Sequence, residues 1–180
     1  MFPLIDKLLY DPKDDVRDKA IFVLAEIRTI AKEEWKDNVL RLILCMAHDE
    51  KDNIKESAVK LLNEVSADMG QEYNEGIIVN ELRGLGSIEE ASNVKCTIVQ
   101  NLHNISRNIS LDVFTEKMFP LYDQLAQDKE WKVRKTCADV VAQIGEVAPL
   151  DRPETSQKLQ VLYYRFLQDA SSKIVRGTAF

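Results

Sequence analysis

Apolar residues recur along this chain at intervals of three and four, not two. Between Trp35 and Ala47 they fall at Val39, Leu42, Ile43 and Met46. After a polar break at Asp49–Asp52 they resume at Ile54, Ala58, Leu61, Leu62 and Val65. Each set occupies one face of an α-helix, so the stretch predicts two amphipathic helices joined by a short turn. Alternation with the period of a strand is missing, and Gly and Pro are few, at 6 and 5 of 180 residues. The sequence predicts an all-α chain.

The helix pair is written more than once. Residues 1–11 read MFPLIDKLLYD and residues 118–128 read MFPLYDQLAQD, an offset of 117, or three times 39. Intermediate copies mark that period. A branched apolar residue followed by a base occurs at Val16-Arg17, Ile54-Lys55, Val94-Lys95, Val133-Arg134 and Val175-Arg176. Asp11, Asp49, Glu89 and Asp128 stand five residues before the first four pairs, and Asp169 six before Val175. Four residues after each apolar position comes a residue fit for burial: Ala20, Ala58, Ile98, Cys137 and Ala179. Five such units in phase predict a solenoid, with units at approximately 1–32, 33–70, 71–110, 111–150 and 151–180. A helix pair of this kind cannot cover its own apolar stripe. Stacked neighbours cover it, giving a right-handed α-α superhelix of about four and a half repeats. The last unit stops midway through its second helix and leaves an apolar edge, so a fragment of a longer array, weakly self-associating at its ends, is expected.

Helix ends are marked as well. Gly70 suits a C-terminal cap, and Pro149 closes a helix. Asp151 with Glu154, and Ser87 with Glu90, fit N-terminal caps.

Charge and rare residues narrow the chemistry. The net charge of −6 is spread along the chain, which argues against a nucleic-acid surface built on clustered bases. The longest apolar stretch, near Val39–Ala47, is interrupted by Arg41 and is too short to cross a bilayer. No signal peptide is visible. Cys45, Cys96 and Cys137 are far apart without a CxxC, which suits buried, reduced thiols of a cytoplasmic or nuclear protein. His48 and His103 have no companion ligands nearby, and no P-loop, GxSxG or HExxH motif occurs. Neither a metal, a cofactor nor catalysis is expected. A repeat-fold hydroxylase or a DNA glycosylase is disfavoured by the two distant histidines and the missing basic stripe.

Two groups of residues stand out. The acids Asp11, Asp49, Asp128 and Asp169, with the bases Arg17, Lys55, Lys95, Arg134 and Arg176, are expected to stack as a ladder. Each acid would reach a helix N-terminus or a neighbouring base. They are too evenly spaced to form one catalytic site. The second group lies in the turns: Lys13, Asp14, Lys51, Asp52, Lys129, Glu130, Trp131, Lys132 and Lys173. Trp131 among Lys129, Lys132 and Arg134 can be read as an exposed binding anchor or as a ring that seals the repeat end. Trp35 is expected to pack on the preceding unit, and at least two of Tyr163, Tyr164 and Phe166 to be core. The helix carrying Asn101, His103, Asn104, Ser106 and Asn108 is the most polar, either a weak point or a polar contact surface.

A unit near 39 residues, with Phe-Pro-Leu in its first helix, Asp at its end and Val-Arg or Val-Lys opening the second, resembles a HEAT repeat. The resemblance covers essentially the whole chain. Residues 125–138, LAQDKEWKVRKTCA, and 166–180, FLQDASSKIVRGTAF, are similar to the HEAT-repeat scaffold and regulatory subunits of the protein phosphatase 2A and 4 type. This resemblance implies a non-catalytic scaffold whose intra-unit turns form a ridge. The ridge would grip a phosphatase catalytic subunit and a further regulatory subunit, with no nucleic acid, membrane or small-molecule substrate. Carried over by position, it is Pro12–Asp14, Glu50–Asp52, Glu90–Asn93, Lys129–Lys132 and Ala170–Lys173. The third unit departs from the pattern, with Gly-Ser-Ile in place of a clear Asp turn. The alternative is another HEAT adaptor, of the nuclear-transport or translation-control type, which would bind on the concave face of the second helices.

Overall fold

In a computed structural model, which describes residues 2–30, 35–87, 90–149, 151–170 and 172–178, the amphipathic stretches form ten helices in five pairs. They are α1 (Phe2–Leu9) and α2 (Asp14–Ile30), α3 (Trp35–Ala47) and α4 (Asp52–Met69), α5 (71–85) and α6 (Ser92–Ser106), α7 (111–125) and α8 (Trp131–Val147), and α9 (Pro153–Leu167) and α10 (Lys173–Thr178). The second helices form one layer, in which α2, α4, α6, α8 and α10 each pack on the next. The first helices lie against them. Val39, Leu42, Ile43 and Met46 of α3 are all buried, as are Ile54, Ala58, Leu61, Leu62 and Val65 of α4. Ala20, Ala58, Ile98 and Cys137, the phased residues four places after each Val or Ile, are buried too, and Ala179 lies outside the described residues. One apolar cluster runs from Ile5 to Val175, because each unit's stripe is completed by its neighbours.

The helix ends show how neighbouring units are tied. Gly70 ends α4 with φ +85°, a conformation that side chains disfavour. Asn74, buried at the start of α5, then donates its amide to the Ser66 and Gly70 carbonyls, both at 2.8 Å, and so satisfies the end of α4. The Asn108 amide donates to the Ser66 hydroxyl at 2.8 Å, so the chain leaving α6 is tied to the same residue. Helices α5 and α7 each contain a wide π turn, Asn74–Ile78 and Phe114–Met118. The second precedes Pro120, whose ring cannot fit a regular helix interior. Asn80 holds the equivalent place in α5, so the widening belongs to the shape of the repeat rather than to proline. At Gly86 the end of α5 passes so close to α7 that a Cβ would lie 2.5 Å from the Leu121 side chain. Gln124 donates to the Gly86 carbonyl across that contact at 3.0 Å.

Several expectations are corrected. Helix α9 starts at Pro153 after Arg152, not at an Asp151 cap, since proline takes the first helical position where no N–H is needed. Helix α6 starts at Ser92 after Ala91, and Ser87 belongs to the turn that closes α5. Of the cysteines only Cys137 is buried. Cys96 is half-buried, and Cys45 is exposed on the side of α3 away from its buried face. Of the three aromatics in α9 only Phe166 enters the core. Tyr163 and Tyr164 fall on its outer faces, their rings edge to face at 6.3 Å. Trp35 begins α3, but its side chain lies outside the described residues. The polar helix α6 is packed between α4 and α8 and turns much of its polarity inward, with Thr97, Ser106 and Asn101 bonded to carbonyls of their own helix.

Tyr122 is fully buried and its hydroxyl donates to the Cys137 carbonyl at 2.8 Å, joining α7 to α8. Burial raises its pKa. Replacing Tyr122 with Phe is expected to cost about 1 kcal/mol of unfolding free energy, read as a lower urea midpoint with an unchanged slope.

A candidate partner-binding ridge of inter-helix turns

Each turn is built by its acid. Asp11 accepts the Lys13 N–H at 2.9 Å, Asp49 that of Lys51 at 2.9 Å, and Asp128 that of Glu130 at 2.8 Å. Asp169 accepts from Ser172 at 2.8 Å. A short carboxylate that bonds the backbone a few residues on folds the chain back and starts the second helix. That helix opens at Asp14, Asp52, Ser92, Trp131 and Lys173, which are therefore equivalent positions.

The bases point forward. Arg17 grips Asp49 of the next unit with two bonds, 2.7 and 3.0 Å, and Arg134 grips Asp169 at 2.6 and 3.1 Å. Lys55 reaches Glu90 at 2.8 and 3.1 Å, and Lys95 reaches Asp128 at 2.9 Å. The arginines also turn back: Arg17 donates to the Asp11 carbonyl at 2.9 Å, Arg134 to that of Asp128 at 2.7 Å, and Arg176 to that of Asp169. The sequence pattern points to Glu89 as the third acid, which lies outside the described residues. Among the described residues it is Glu90 that holds Lys55. The adjacent acids of residues 88–90, Ile-Glu-Glu, were the only signal for it.

Burial sharpens these pairs. Lys95 is 1% exposed, and the Asp128 carboxylate at 2.9 Å helps to compensate its buried ammonium. Burial works to raise the Asp49 carboxyl, but hydrogen bonds from Arg17 and the Lys51 N–H outweigh it and hold the pKa below the usual range. Glu90 behaves alike, burial being outweighed by Lys55 and the Ala91 N–H. The bond to Asp169 raises the Arg134 guanidinium despite desolvation, and Asp49 does so for Arg17.

The turn residues point out of this frame. Lys13, Lys51, Asp52, Lys129, Glu130, Lys132 and Lys173 are exposed, and Asp14 is half-buried. Trp131, as the first residue of α8, keeps 37% of its surface open, so the ring is partly packed and partly outward.

Residues 118–148 match the HEAT repeat family. The matched segment runs from the end of the π turn in α7 to the end of α8 and contains both the Asp128 turn and Trp131. Among solved structures, the karyopherin Kap121p bound to the SUMO protease Ulp1p is similar, with a TM-score of 0.72 and 16% identity over 99% of this chain. Kap121p bound to Nup53p gives a TM-score of 0.71 at 16% identity. This chain spans 18% of the length of those karyopherin chains. A designed armadillo repeat protein is similar at a TM-score of 0.59 and 17% identity, over 99% of this chain and 78% of its own. No curated protein matches the chain. The fold is that of a helical repeat solenoid.

Within the segment 118–148 that matches the HEAT repeat, Asp128 ties the preceding unit through Lys95, and Arg134 ties the following one through Asp169. Replacing Asp128 with Ala takes a carboxylate from the buried Lys95 ammonium and the acceptor from the Glu130 N–H, and is expected to cost about 3 kcal/mol. Replacing Lys135, whose bond to Asp139 is half-exposed, should cost about 0.5 kcal/mol or less. Urea unfolding of the two variants measures the contrast. A pH dependence also follows. Asp49 and Glu90 have folded pKa values below their unfolded ones, so their stabilisation is complete above the unfolded range and is lost as pH falls through the folded values. Calorimetry should show a melting temperature that falls below about pH 4, and less steeply in Asp49→Asn than in the wild type.

Proposed function

We propose that this chain is a non-catalytic scaffold that binds protein partners along the edge formed by its inter-helix turns. The partner we assign is the catalytic subunit of a phosphatase of the 2A type, with a further regulatory subunit alongside, in the cytoplasm or nucleus. One observation carries the reading. The ladder stacks the openings of successive second helices along one edge, and at the HEAT unit that place is taken by a part-exposed Trp131 between Lys129 and Lys132. Tryptophan beside bases is a combination enriched at interface hot spots. The rung residues recur from unit to unit, while the openings change from Asp14 and Asp52 to Ser92, Trp131 and Lys173, and Pro12, Glu50, Lys129 and Ala170 differ, as residues that select partners would.

The likeness to karyopherins favours a second reading, a transport-type adaptor that engages partners on its layer of second helices. Titration with a phosphatase catalytic subunit in surface plasmon resonance separates the two. Binding is expected, and Trp131→Ala should weaken it by about thirtyfold, the size of one hot spot. No binding by the wild type would remove the phosphatase assignment. Unchanged affinity in Trp131→Ala, with a loss in Lys60→Glu on the outer side of α4, would favour the transport-type reading.

A further inference from the structure

Two grooves lie at equivalent places along the turn edge, one between units one and two and one between units four and five, with volumes of about 370 and 740 Å³. Both are floored by an arginine–aspartate rung, Arg17–Asp49 in the first and Arg134–Asp169 in the second. The common floor is structural, so the difference between the grooves lies in the residues around it.

Those residues differ in sign and in polarity. Around the first groove Asp11, Asp49 and Glu50 stand against Arg17. Around the second, Lys129, Arg134 and Arg165 stand against Asp128 and Asp169. In the second groove Arg134 is joined to Asp169, and Asp128 to Lys95. That leaves Lys129 and Arg165 as the charges on the rim. Among the described residues Arg165 pairs only with Asp123, at 3.5 Å with both side chains close to half exposed, a pairing too open to the solvent to hold it firmly. The chain as a whole carries −6, so this groove reverses the charge of its surroundings. Its wall on α9 is apolar: Val161 is 56% exposed and Tyr164 60%. The equivalent places on α3 hold Arg41 and Leu44. Large apolar side chains left open beside two bases mark a contact that needs both covering and counter-charge.

We propose that the groove between the turns of units four and five binds an acidic peptide segment of a partner protein. An aliphatic or aromatic side chain of the segment lies on Val161 and Tyr164, and flanking carboxylates meet Lys129 and Arg165. This rests on the turn-edge reading above and names the chemistry of what that edge takes at one place. The charges steer the encounter and the apolar wall supplies the burial.

The test is fluorescence anisotropy of the 180-residue chain with two labelled peptides that share their leucines and differ only in glutamate or lysine at the remaining positions. The glutamate peptide is expected to bind, and more weakly as salt rises. The double variant Lys129→Glu, Arg165→Glu should reduce its affinity by about tenfold or more. Tyr164→Ala should lower the affinity while leaving its salt dependence in place. Glu50→Lys, in the first groove, should change nothing. Equal binding of the lysine peptide, no binding of the glutamate peptide, or unchanged affinity in the double variant would each overturn the proposal. If a phosphatase catalytic subunit binds the chain while the glutamate peptide does not, the groove assignment falls and the scaffold reading stands. If the peptide binds and the phosphatase does not, the groove stands and the phosphatase assignment falls.

Discussion

A lysine with 1% of its surface exposed needs a carboxylate beside it, and Asp128 of the next unit supplies one to Lys95 at 2.9 Å. That requirement sets the stacking. The apolar stripes of neighbouring helix pairs would tolerate a shift along the helix axis, since Leu, Ile and Val can interdigitate in more than one register. A shift of one turn would pull Lys95, Arg17 and Arg134 from Asp128, Asp49 and Asp169. Each rung adds little net stability over well-packed apolar residues, but each makes the wrong stacking expensive. The hydrophobic stripes hold the array together, and the rungs decide its register.

The rungs also link the two ends of every turn. The arginines of units one and four donate backward to the carbonyl of their own unit's acid and forward to the next unit's carboxylate, while that carboxylate caps its own backbone. A turn is thus fixed by a residue of the unit before it and one of its own. The middle of the array uses lysines, which make point contacts instead of forked ones. Asn74, Asn108 and Ser66 supply further ties there, at the opposite ends of the helices.

Because the backbone of each turn is held by its acid and the bases that reach it, the side chains at the start of the second helix are free to vary without harming the fold. Pro12 and Glu50 border one groove, and Lys129 and Ala170 the equivalent places of the other, over the same rung. One frame can therefore present surfaces of opposite charge, which is the property required of an edge that distinguishes between partners.

The sequence by itself determined that the chain is helical and repetitive, and it pointed to the acids and bases at the turns with the exception of Glu90, since helical periodicity and the recurring Val-Arg or Val-Lys step are local features of the chain. It also marked the turns, because Asp followed two residues later by its N–H partner is a short-range device. Only the tertiary structure decided which unit each base serves. Arg17 and Asp49 are 32 residues apart, and nothing local says that the base reaches forward instead of closing on Asp11. The same holds for Glu90, which lies 35 residues from the Lys55 that it pairs with, and for Tyr163 and Tyr164, of which the apolar pattern sends at least one to the core beside Phe166 and the packing leaves both outside. A periodic sequence states which residues share a helix face. Which faces are covered depends on the neighbours that arrive there.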